Sequence, residues 1–160
     1  MASREGRALL LVLDQAYNRR SWHGTNLCGA IRGVSFKRAC WRPAPGRHNI
    51  WELVVHTAYW KYAVWRRLTD GHRGSFPLAG SNWFRRPHGA GEREWRAEVA
   101  LLDEMHRSLR GAVERLPASS LARAPKGSAV TNRALIAGVA AHDLYHAGQV
   151  QLLKRLSPST

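Results

Sequence analysis

The chain has 160 residues, 44% of them hydrophobic, which suits one domain with a continuous core. Its two cysteines, Cys28 and Cys40, exclude a disulfide framework and form neither a CxxC pair nor a zinc-finger spacing. The net charge is +14 and 21 of the 25 basic residues are arginine, yet no run of five or six like charges occurs. That dispersion predicts weak, non-specific contact with nucleic acid and no sequence-specific binding.

The apolar run Leu9 to Leu13 lies between Arg4, Arg7, Arg19 and Arg20. It is too short to cross a bilayer and no small-residue cleavage site follows it, so no membrane contact is expected and the cytoplasm is the expected compartment. Leu9, Leu10, Leu13, Ala16 and Tyr17 carry a helical spacing that predicts a first helix over about 3–20. After the break at Ser21–Gly24, Leu27, Ala30, Ile31 and Val34 predict a short extra helix over 26–34. Pro43 to Gly46 then reads as a connector.

Asn49 followed three residues later by Glu52 is a capping box, and it predicts the start of a second long helix that runs to the stop at Asp70–Gly71. Residues 71–91 are rich in glycine and proline but include Phe76, Leu78, Trp83 and Phe84. Such a connection is expected to pack down on the bundle as a cover. The third helix follows a 4-3 spacing through Trp95, Val99, Leu102, His106, Leu109, Val113 and Leu116, and Pro117 ends it. Thr131 caps a fourth, whose buried face includes Leu135, Val139, His142, His146, Val150 and Leu153. No segment alternates with a period of two. Four long amphipathic helices with a short extra one predict an all-α four-helix bundle spanning 1–160 as a single domain.

His142 and His146 are four residues apart, which puts both imidazoles on one helix face within reach of a shared metal. Two hydrogen-bonded core histidines would show the same spacing. His56, on the second helix, supplies a third imidazole where facing helices of bundles build metal sites. Around these three, Glu52 stands one turn before His56, and Trp60 shares the face of His56. Gln149 is placed to orient a ligand histidine or a water, and Tyr145 to line the mouth. His106 is either a satisfied core histidine or a proton carrier beside the site. Asp143 sits about 100° round the helix from His142, as a solvent-facing or supporting carboxylate. His48, His72 and His88 are expected to be solvated.

The segments Asn49-Ile-Trp-Glu-Leu-Val-Val-His56-Thr-Ala-Tyr-Trp60 and His142-Asp-Leu-Tyr-His146-Ala-Gly-Gln149-Val resemble the two signature regions of the DinB/YfiT-like family. That family includes damage-inducible DinB proteins, bacillithiol transferases and mycothiol-dependent isomerases. The resemblance implies a bundle in up-down-down-up order and one divalent metal ion, zinc or nickel, held by His56, His142 and His146. Three protein ligands would leave a position open, as in catalytic sites. It further implies a metal-dependent enzyme, a thiol S-transferase, hydrolase or isomerase, that acts with a low-molecular-weight thiol on a small substrate, an anionic one being suited to the arginine-rich surface, and pairs as a homodimer. The alternative is a basic, stress-associated binding protein with non-specific nucleic-acid contacts and a structural metal or none.

Overall fold

The structure, a computed structural model, describes residues 3–71, 75–86 and 89–158; His72 and His88 lie outside the described residues. Seven helices form and no strand occurs among the described residues: α1 (Arg4–Tyr17), α2 (Leu27–Ile31), α3 (Phe36–Cys40), α4 (Ile50–Leu68), α5 (Glu92–Arg115), α6 (Ala118–Leu121) and α7 (Asn132–Leu156). The four long ones, α1, α4, α5 and α7, make the bundle. The expected extra helix is α2. The equally short α3 and the four-residue α6 have no counterpart in the sequence reading, because four or five residues hold too little periodicity to register.

The helix starts follow from local chemistry. The Asn49 side chain accepts from the Glu52 amide at 2.8 Å, and the Glu52 carboxylate accepts from the Asn49 amide, closing the capping box. Thr131 caps α7 by accepting from the Ala134 amide. At the far end of α4, Asp70 and Gly71 both adopt left-handed backbone, with φ of 55° and 68°, which stops the helix.

Paired residues fix the helix directions. Trp51 meets Glu98 and Lys61 meets His106, so α4 and α5 run parallel. Tyr17 meets Asp103 while Asp14 meets Arg110, so α1 opposes α5. Glu5 pairs with Arg133, and Leu10 and Leu13 pack with Ile136, Val139 and Ala140, so α1 and α7 run together. His56 meets His142 and His146 while Val64 lies near Val139, so α4 opposes α7. The order is up-down-down-up.

Two consecutive helices that run parallel need a connection as long as the bundle. The 19 residues of α4 rise about 28 Å, and the chain after Leu68 must retrace that length before α5 begins. Its described part, residues 75–86, lies against the bundle rather than free in solvent. Phe76 and Phe84 are buried, with ring centroids 5.2 Å apart, and each lies 5.5 Å from Tyr59. The return path brings Asn82 and Trp83 onto the face of α4 that carries His56.

Candidate metal centre

Three imidazoles converge between α4 and α7. His142 Nε2 lies 3.1 Å from His56 Nε2 and 3.0 Å from His146 Nε2. Two ligands at about 2.05 Å on a tetrahedral ion stand roughly 3.3 Å apart, which these two separations approach, and all three ligand atoms lie within 4.8 Å of one another. It is the only group of three or more potential metal-ligating side chains found among the described residues.

The hydrogen bonds behind the rings set their chemistry. His56 Nδ1 faces the Asn82 carbonyl at 2.8 Å, so this nitrogen carries the proton and donates. His146 Nδ1 donates in the same way to Gln149 Oε1 at 2.6 Å. Both Nε2 atoms are therefore lone pairs, and both point at His142 Nε2. A proton on that nitrogen would satisfy only one of them. A cation among the three would satisfy all, and the outer hydrogen bonds are those that orient metal-bound histidines. His142 Nδ1 is buried without a partner.

Burial holds the three rings neutral, as coordination requires. It pushes His56 down to about 4 and His142 down to about 3, and it lowers His146 as well. For His142 the nearby His146, His56 and Lys61 add to the effect. His56 and His146 are buried, whereas His142 is half-buried, so the cluster meets solvent on the His142 side.

Trp83 covers the opposite side. Its ring lies 3.8 Å from His56 with planes 7° apart, and 3.6 Å from His48 with planes 5° apart. Two near-parallel imidazoles that close to one centroid would overlap if they shared a face, so Trp83 is inserted between them. Asn82 reaches this geometry with a left-handed φ of 60°, and its side chain accepts from the Trp60 indole at 3.0 Å. Neither Asn82 nor Trp83 stood out in the sequence, since a loop has no period to reveal which residue points inward. The apolar content of 71–91 was the available signal.

The remaining candidates separate. Gln149 supports His146 directly, and Trp60 borders the cluster with its ring 6.3 Å from His142. Tyr145 stands 66% exposed with its ring 5.1 Å from His146, a rim position. Glu52 turns away from the triad. Its oxygens lie 2.5 and 2.8 Å from Arg42 and 3.0 Å from His48 Nδ1, which holds the carboxyl below its usual range despite burial. His48, expected to be solvated, is thus tied to both Glu52 and Trp83. His106 touches none of the three histidines. It stacks on Tyr17 at 3.8 Å and accepts at Nδ1 from the Lys61 ammonium at 3.4 Å.

Asp143 departs furthest from expectation. It is fully buried in an ion pair with Lys61, itself fully buried. Position 143 points inward because α7 is packed against α1, α2 and α4, leaving less of its circumference to solvent than a two-sided helix has. Burial pushes the Asp143 carboxyl up to about 6 against the pull of Lys61.

The fold and the cluster define a helical-bundle protein with three histidines able to hold a metal ion. Residues 21–150 match the family model described as the DinB superfamily, and the chain belongs to that superfamily. No curated protein and no solved structure gives a significant match. No helix among the described residues is long and apolar enough to cross a membrane.

Proposed function

We propose that the protein is a single-domain metalloenzyme, residues 1–160, in which His56, His142 and His146 hold one divalent cation, zinc or nickel. The observation that carries this reading is the convergence of three Nε2 atoms, two of them committed to lone pairs by Asn82 and Gln149. When bound, such a cation supplies Lewis acidity that makes a nucleophile of water or a low-molecular-weight thiol at neutral pH. Imidazole donors suit zinc and nickel alike. The chain's own part is to keep the ligands neutral by burial, to exclude water behind His56 with Trp83, and to leave the His142 side open to a substrate. The reaction class is S-transfer or hydrolysis.

Metal analysis of untagged protein, with His142→Ala alongside, tests the site. About one equivalent in the parent and little in the variant is expected, because two imidazoles hold a divalent ion poorly. A parent protein that takes up neither zinc nor nickel on titration would overturn the reading. An S-transfer assay with low-molecular-weight thiols tests the reaction class.

The protein is further proposed to act in the cytoplasm as a homodimer. Tyr145, Leu152 and Leu156 are exposed at i, i+7 and i+11 of α7, an apolar stripe suited to a second copy. Light scattering that gives a monomer at high concentration would remove the dimer. The charge of +14 supports a second reading, a basic binding protein with non-specific nucleic-acid contacts. Its mark would be DNA affinity that falls steeply with salt and does not depend on the triad.

A further inference from the structure

A cavity of about 270 Å³ opens beside the triad, in the groove between α4 and α7. His142, the half-buried member of the cluster, lines it together with Trp60. Val64, Leu135 and Val139 supply apolar walls, and Gly138 leaves the groove wide, since a β-carbon there would meet nothing within 4 Å.

The one charged side chain on the lining is Arg67. It lies seven residues beyond Trp60 on the same helix, about 10 Å along the axis. It is exposed, and no hydrogen bond or ion pair engages it among the described residues. Arg66 shares its place in the last turn of α4, so complementing the helix dipole does not by itself require a second arginine there. The other cavity near the cluster, of about 540 Å³, lies behind Trp83 on the covered side; it carries Arg42, Arg85 and Arg86 but none of the three histidines lines it. The groove to Arg67 is therefore the approach that both reaches the triad and ends in an unused cation.

We infer that this groove is the substrate site, and that its ligand is a small molecule with an apolar body about 10 Å long, its reacting end at the triad and an anionic group, a carboxylate, on Arg67. This rests on the metalloenzyme reading for the identity of the reacting end, but the groove and Arg67 are independent of any cation.

Octanoate and octanamide are suitable probes, matched in length and differing in charge. The Trp60 indole N–H resonance, assigned through Trp60→Phe, reports binding to metal-free and zinc-loaded protein. Octanoate is expected to shift that resonance saturably. Arg67→Gln should weaken octanoate roughly tenfold, the scale of one charge-assisted contact, and leave octanamide unchanged. Gly138→Leu, which raises helix propensity and fills the groove, should abolish both. Equal loss of acid and amide in Arg67→Gln, or undiminished binding in folded Gly138→Leu, overturns the inference. Protein that takes up zinc but gives no octanoate response also overturns it and leaves the metal reading standing. The expected octanoate pattern in protein that takes up no metal has the reverse meaning.

Discussion

The indole of Trp83 lies face to face with the imidazole of His56, with centroids 3.8 Å apart and planes within 7°. A residue of the crossover is thereby part of the wall of the histidine cluster. Since His48 occupies the other face, Trp83→Ala removes two stacked pairs. A loss of about 1–3 kcal/mol of stability is expected at 0.5–1.5 per pair. The same variant admits water to His56, so its pKa should climb from about 4 toward the ordinary 6.5. Denaturant titration reads the first effect and NMR titration of the ring the second. A His56 that still titrates near 4 without the indole would show that the burial comes from elsewhere.

Gln149 should matter through His146 alone. Gln149→Ala removes the acceptor that keeps the proton on His146 Nδ1, and zinc affinity is expected to fall about 10–100-fold with the fold intact. Gln149→Glu restores an acceptor and should recover the affinity. Competition with a chelator of known strength measures both. An alanine variant that binds zinc as tightly as the parent would mean that Gln149 is ordinary polar packing.

How much of this was legible in advance depended on periodicity. Asn49 and Glu52 announced the start of α4, and the i, i+4 spacing of His142 and His146 put two rings on one face. Trp95, Leu102, His106, Leu109 and Val113 traced the buried stripe of α5. What could not be read lay where no period operates. Asn82 and Trp83 are placed by the conformation of a loop, and a left-handed asparagine leaves no mark in a hydropathy pattern. Lys61 and Asp143 were hidden for a different reason. A charged residue is assigned by default to the wet side of a helix, and only tertiary packing reveals that α7 is enclosed at that angle.

The buried Lys61–Asp143 pair gives a sharp test of that packing. Removing one partner strands the other charge in the core, so Lys61→Met and Asp143→Leu should each cost about 3–5 kcal/mol. The double variant should recover most of the loss, since an apolar pair of similar volume needs no counter-ion. Chemical denaturation of the three variants completes the cycle. Additive losses in the double variant would contradict a direct partnership.

His106 should make the fold acid-sensitive. Burial, then Lys61 and Arg110, push it down to about 3. The groups around it are Lys61 on α4, Arg110 on its own helix, Tyr17 on α1 and, through Lys61, Asp143 on α7. The unfolded chain takes up this proton near 6.5 and the folded chain does not until about 3. The contribution of His106 is thus complete above 6.5 and is lost as pH falls through that window, at up to about 1.4 kcal/mol per pH unit. Asp143, raised from 3.8 to about 6, works in the opposite sense between those values and offsets part of the slope. Subtracting the parent's curve from that of His106→Asn isolates the histidine. Relative to pH 7.5, the variant should gain on the parent as the solution is acidified from 6.5 to 4. Parallel curves would show that His106 accepts a proton as readily in the folded chain as in the unfolded one.

The parallel course of α4 and α5 separates two kinds of inheritance in this molecule. The histidines stand on helices whose registers are locked by the core, so they cannot drift without unfolding it. The segment that shields them, 75–86, belongs to no helix and is held by side-chain packing instead, through Phe76, Phe84 and Trp83. The same topology that makes a long detour unavoidable also brings a loop to the histidines. A change at Asn82 or Trp83 acts on His56 without altering the helices that carry the histidines. Grafting that segment between two such bundles would therefore exchange both the partner of His56 Nδ1 and the ring stacked on its face.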